Sequence, residues 1–140
     1  MKIESAFLCD DVRREGNGKL IFIGVYAQDI ILPAFPITLG FHVVLLIDID
    51  RAGLHAMEVE VLIDDKSKLK GSIQITQISG GFSFIHFPIP QLTITGESKL
   101  NVRVKDSKGK WNKVLKIDIK QGNPNQPVLT GASTESPPPS

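Results

Sequence analysis

Apolar side chains recur at every second residue along most of this chain, and no stretch between residues 1 and 120 sustains helical spacing. Successive side chains of a strand point to opposite faces, so this period calls for sheets with one buried face. In "LNVRVKD", Leu100, Val102 and Val104 alternate with Asn101, Arg103 and Lys105. In "WNKVLKIDIK", Trp111, Leu115, Ile117 and Ile119 share the core parity, while Asn112, Lys116, Asp118 and Lys120 take the other. Gly109 in the intervening "DSKGK" suits a tight turn, so the two segments read as a hairpin. Met57, Val59, Val61 and Ile63 alternate in the same way with Glu58 and Glu60.

"FHVVLLIDID" differs. Phe41, Val43, Leu45, Ile47 and Ile49 form one apolar face, and the other mixes His42, Val44, Leu46, Asp48 and Asp50. Apolar character on both sides predicts a central strand whose outer face is covered. Arg51-Ala52-Gly53 is the turn after it, and "LKGSIQIT" is a further strand beyond the polar "DDKSK". Pro88 and Pro90 make "FSFIHFPIPQLTIT" an edge strand or an extended connection, because proline donates no ladder hydrogen bond. Pro33 and Pro36 predict an extended bend in "LPAFPIT". Seven to nine short strands with regular turn signals predict an all-β fold, an antiparallel β-sandwich of immunoglobulin-like architecture. The single cysteine and single tryptophan do not supply the cysteine–tryptophan–cysteine spacing of antibody domains.

A length of 140 residues suits one domain, and 41% apolar with 22% charged residues suits a soluble globule. The domain is expected over residues 1–120. Residues 121–140, rich in proline, serine and glycine, are expected to be a disordered tail, since they offer too little apolar surface to offset their ordering entropy. Cys9 alone allows no internal disulfide and fits a reducing compartment. No signal-peptide run is present, and "FHVVLLI" is too short to span a bilayer, so a cytoplasmic protein without a membrane partner is expected. The net charge of +1 is unevenly placed: residues 1–95 hold 8 basic and 11 acidic side chains, and residues 96–120 hold 8 basic and 3 acidic.

The stretch "CDDVRREGNGKLIFIGVY" invites a phosphate-loop reading, which fails. Arg13 stands where the first glycine is needed, Leu20 follows Lys19, and a strand follows where a helix is required. A hairpin fits better. Asn17-Gly18 favours a two-residue turn, which places Cys9 opposite Tyr26 and Arg13 opposite Phe22; Gly16 also permits a bulged three-residue loop. Asp10 and Asp11 are adjacent and point apart on a strand, so solvated charges are favoured over a calcium or magnesium site. His42, His55 and His86 are scattered without ligand spacing, and His55 is expected to cap the core edge of its strand. Nothing marks Cys9 as a nucleophile, and no Gly-x-Ser-x-Gly elbow is present. No cofactor is implied. A divalent-metal enzyme is the least favoured alternative.

The favoured function is a non-enzymatic interaction or structural module. An unidentified protein partner, or a second copy, would dock on Val44, Leu46, Phe82, Phe84 and Phe87. The alternative is nucleic acid or another anionic surface, held by Lys99, Arg103, Lys105, Lys116 and Lys120 on the outward face of the last hairpin. Against that alternative stand the expected absence of aromatics on that face and a pI of only 7.9.

Together the opening stretch, the "PAFP" bend, the strand "FHVVLLIDI" and the C-terminal "FPIPQLTITGESKLNVRV" resemble a group of small uncharacterised bacterial or phage proteins. Their shared marks are an early Cys-Asp, then Gly-Lys, Ile-Gly and an aromatic, then Phe-Pro. The resemblance spans residues 3–120 and implies an immunoglobulin-like sandwich; it brings no catalytic residues.

Overall fold

The computed structural model describes residues 1–106 and 108–123. They form nine strands: β1 (Lys2–Arg14), β2 (Leu20–Val25), β3 (Ile30–Leu32), β4 (Ile37–Ile49), β5 (Gly53–Ile63), β6 (Lys66–Gln77), β7 (Gly81–Ile94), β8 (Ser98–Lys105) and β9 (Trp111–Gln121). One sheet has the order β2-β1-β4-β7 and the other β3-β9-β8-β5-β6, which makes a β-sandwich. Every pairing is antiparallel except β3 with β9. The core lies between the sheets, where Leu8, Val43, Leu45 and Ile47 meet Val61, Leu100, Val102 and Ile119, all essentially without solvent exposure. The alternation in sequence is therefore the alternation of buried and outward side chains. The tail expected from residue 121 falls outside the described residues beyond Asn123, and β9 itself reaches Gln121.

Strand β4 is central in its sheet, as its two apolar faces require, and β7 with Pro88 and Pro90 is an edge. Arg51-Ala52 does not close a hairpin: it carries the chain from β4 in one sheet to β5 in the other.

Two expectations of register are corrected. In the first hairpin Cys9 lies opposite Val25 and Arg13 opposite Ile21, one residue from the two-residue-turn alignment. The bulged alternative is the one adopted. The Gly18 N–H donates to the Glu15 carbonyl (3.0 Å), the Glu15 N–H to the Lys19 carbonyl (2.8 Å), and Gly18 takes φ of +87°. The two-residue turn with both residues left-handed occurs instead at Asp64 and Asp65, with φ of 48° and 66°. Aspartate tolerates this region better than most residues. Asp64 is also tied to β8, since its N–H donates to the Lys99 carbonyl and its Oδ1 accepts from the Lys99 N–H, both at 2.9 Å.

The second correction concerns Trp111. Val102 pairs with Leu115, but the next residue, Arg103, pairs with Lys113. This bulge inserts one residue, so every side chain of β9 before it changes face. Trp111 consequently pairs with Lys105 and joins the outward residues, not the core parity of Ile117 and Ile119.

The outer side of the four-stranded sheet is covered by its own first hairpin. The Phe22 ring of β2 makes edge-to-face contacts with Phe7 of β1 (5.1 Å between centroids) and Phe84 of β7 (5.2 Å). Strands β2 and β7 are opposite edges, about 14 Å apart in a flat sheet. The Phe22–Phe84 contact therefore requires the β1–β2 hairpin to fold toward that outer side.

Candidate functional site

The opening stretch forms a structural lock. The Tyr26 hydroxyl donates to Asp10 Oδ1 at 2.9 Å, and Gly24, at φ of +69°, faces the same carboxylate. A Cβ at Gly24 would stand 2.8 Å from Asp10 Cγ and closer still to Oδ2. Burial, with the Asp10 carboxylate next, pushes the Tyr26 phenol up to about 12. Asp11 turns elsewhere: it accepts from the Arg13 guanidinium (3.0 Å) and the Val12 N–H (2.9 Å), and lies 3.7 Å from His42 Nε2. The hydrogen bond from Arg13 holds its carboxyl below the ordinary range. Each of the two aspartates thus has its own protein partners.

Cys9 is fully buried, with Sγ 3.4 Å from the Asp11 carbonyl oxygen. Burial raises its pKa, and the Asp10 and Asp11 charges add to the effect. Such surroundings disfavour the thiolate a nucleophile needs. On the adjoining strands the His42 and His86 rings lie 5.8 Å apart, and the Nδ1 atom of each is buried without a hydrogen-bond partner. Desolvation, then repulsion from His42 and Arg14, lowers the His86 pKa. His55 is half-buried, with Nε2 2.9 Å from the Arg51 carbonyl oxygen. Among the described residues no group of three or more His, Cys, Asp or Glu side chains is placed to hold a metal ion.

The residues expected to dock a partner divide. Phe82 is 67% exposed and Phe84 45%. Leu46 is half-buried, and Phe87 packs against the main core. Val44, expected to mark an exposed patch, is fully buried. It sits opposite Phe7 and His86 on the neighbouring strands and lies under the side covered by the folded hairpin. The docking residues expected from sequence include none on β2, where Ile21 (42%), Ile23 (42%) and Val25 (50%) are exposed on an edge strand. Their alternation in "LIFIGV" was visible, but only the sheet order reveals that β2 has one neighbour.

The outer face of the five-stranded sheet carries the basic residues. Arg103 is gripped by Glu60, its Nε donating to Oε1 at 2.6 Å, and Lys105 pairs with Glu58 at 3.4 Å. Hydrogen bonds from Ser67 and then Arg103 hold the Glu60 carboxyl below its usual range. Lys120 binds Asp29 at 3.1 Å, and that contact raises its pKa. Lys99 lies opposite Asp118, and exposed Lys116 lies opposite Asn101. Above Trp111 stand Arg103 (4.6 Å), Lys70 (5.5 Å) and Lys105 (5.8 Å).

A family model covering residues 4–120 matches this chain, and its description is a family of unknown function, DUF6941. The chain belongs to this family. No curated protein matches it. The marks of the sequence resemblance acquire structural reasons within the DUF6941 domain. Cys9 fills a buried position, Asp10 holds Tyr26, Gly18 closes the hairpin loop, and Gly24 leaves room for the Asp10 carboxylate. Phe35-Pro36 has a cis peptide bond in the bend between β3 and β4.

Proposed function

We propose that this DUF6941 domain is a non-enzymatic interaction module of immunoglobulin-like architecture. It acts in a reducing compartment such as the cytoplasm and docks a protein partner, or a second copy, on the side of the four-stranded sheet that bears β2 and Phe84. The observation that carries this reading is the exposed apolar set Ile21, Ile23, Val25, Phe82 and Phe84. Three exposed apolar side chains along one edge strand, with two more on β7, are surface that gains from being covered in use.

The edges support the choice of β2. Strand β7 carries Pro88 and Pro90, β6 carries Lys66, Lys68 and Lys70, and β3 is only three residues long. Proline, lysine and short length all discourage pairing with foreign strands. Strand β2 has none of these devices. The immunoglobulin-like part of the reading is supported by a strand order in which β5, β8 and β9 form one sheet and β4 and β7 the other. The burial and raised pKa of Cys9 support the non-enzymatic part.

The test compares wild-type protein with Ile23→Lys and Phe82→Ser, by light scattering across a concentration series and by affinity capture from host lysate. Association lost in both variants, with melting temperatures unchanged, supports the reading. Association that survives both substitutions, or a wild-type protein that stays monomeric and captures nothing, overturns it.

A further inference from the structure

We propose that the outer face of the five-stranded sheet binds single-stranded nucleic acid, with Trp111 at its centre. This face is distinct from the apolar side of the other sheet. The two sheets differ sharply in charge. The strands of the five-stranded sheet carry nine basic and three acidic side chains, whereas those of the four-stranded sheet carry three basic and four acidic. A net charge of +1 for the whole chain hides this segregation. Tertiary structure creates it by setting β6, with its three lysines, in the same sheet as the basic β8–β9 hairpin.

Across this face Lys70 of β6, Arg103 of β8 and Lys113 of β9 occupy one row, since Glu60 pairs with both Lys70 and Arg103, and Arg103 pairs with Lys113. Such a row offers successive cations to a phosphate chain. Glu58 and Glu60 are the acids of the same region, and Glu60 is 94% buried beneath the guanidinium it holds, so its charge is largely spent on Arg103.

Trp111 selects among polyanions. The bulge at Val102 and Arg103 turns it out of the core and sets it beside this basic row, opposite Lys105. The Arg103 guanidinium carbon lies 4.6 Å from the Trp111 ring centroid, within cation–π range. Aromatic rings and guanidinium planes are the surfaces on which unpaired bases stack, and an acidic peptide gains little from them. No helix or ribbon projects from this face to enter a duplex groove among the described residues. Unstacked bases on a flat sheet are the fitting ligand.

The chain has one tryptophan, so its fluorescence reports this site alone. The experiment titrates full-length protein with fluorescein-labelled oligo(dT), reading anisotropy and, with unlabelled oligo(dT), tryptophan emission. Binding with quenched emission is expected. With Lys70 and Lys113 contacting phosphate, and Arg103 neutralised by Glu60, affinity should fall roughly 7-fold between about 50 and 200 mM salt. Lys70→Glu with Lys113→Glu, both on the surface, should abolish binding while circular dichroism shows the protein still folded, at a modest cost in melting temperature because Lys70 faces Glu60. Trp111→Leu should weaken it by about 10-fold or more. No binding at the lower salt overturns the proposal, as does binding that leaves tryptophan emission unchanged and survives the double charge reversal. Polyglutamate that binds as tightly and quenches as strongly as oligo(dT) also overturns it, because the face would then hold any polyanion.

Discussion

Gly24→Ala tests the lock between β1 and β2 most directly. Gly24 sits at φ of +69°, where an L side chain costs about 1 kcal/mol or somewhat more. The new methyl would also stand 2.8 Å from Asp10 Cγ and 3.1 Å from Asp10 Cβ. Because the nearer conflict is with the carboxylate group, rotation of Asp10 relieves it, but rotation breaks the 2.9 Å bond from the Tyr26 hydroxyl. A hydrogen bond at such an exposed position contributes about 1 kcal/mol. The sum is a destabilisation of about 2–3 kcal/mol, a large share of the roughly 5–15 kcal/mol that holds a typical domain folded. A double-mutant cycle isolates the steric part. Asp10→Ala alone should cost about 1 kcal/mol, and in that background Gly24→Ala should cost only the backbone term, leaving a coupling of about 1 kcal/mol. Urea unfolding of the four proteins, with equal m-values, measures each quantity. Strictly additive costs would refute the reasoning, since they would mean that the methyl never meets the carboxylate.

Three further outcomes follow from groups that folding desolvates. Val44→Ala should cost about 2 kcal/mol from two lost methyl-sized groups and a residual cavity, and Val44→Asp should prevent folding; a soluble, native-like Val44→Asp measured by circular dichroism would contradict its burial. The His86 pKa is lowered in the fold, so the unfolded chain takes up the proton first, and stability present above pH 6.5 should decline as pH falls through the folded value. His86→Gln should remove that decline from the urea midpoints while leaving the lower-pH carboxylate losses in place. Tyr26 shifts the other way: its phenol is raised from 10.0 to about 12, so the unfolded chain loses the proton first and stability should fall as pH rises through this window. The chain has one tyrosine, so tyrosinate absorbance follows it alone, and Tyr26→Phe should flatten the alkaline limb of the urea midpoints.

Whatever depends on nearest neighbours along a strand was legible in the order of residues. The alternation of Leu100, Val102 and Val104 with Asn101 and Arg103 decided which side of β8 is core, and the two apolar faces of "FHVVLLI" decided that β4 is central. Proline at 88 and 90 left an edge strand or an extended connection, because a missing donor cannot be supplied by any fold, and the sheet order makes the segment the edge strand β7. The rest depended on pairing between segments far apart in the chain. A single inserted residue in β9 reversed the face of Trp111, and parity read along the chain has no means of detecting a bulge that arises from pairing with another strand. Val44 and Phe82 read alike as outward apolar residues, yet one is buried under the folded hairpin and the other is exposed at the edge. The lysines of β6 and those of β8 and β9 are separated by the whole of β7 in sequence and share one sheet in space. Periodicity is a local property that side-chain direction enforces residue by residue. Coverage and shared faces are set by contacts between distant segments, and only the folded chain chooses those.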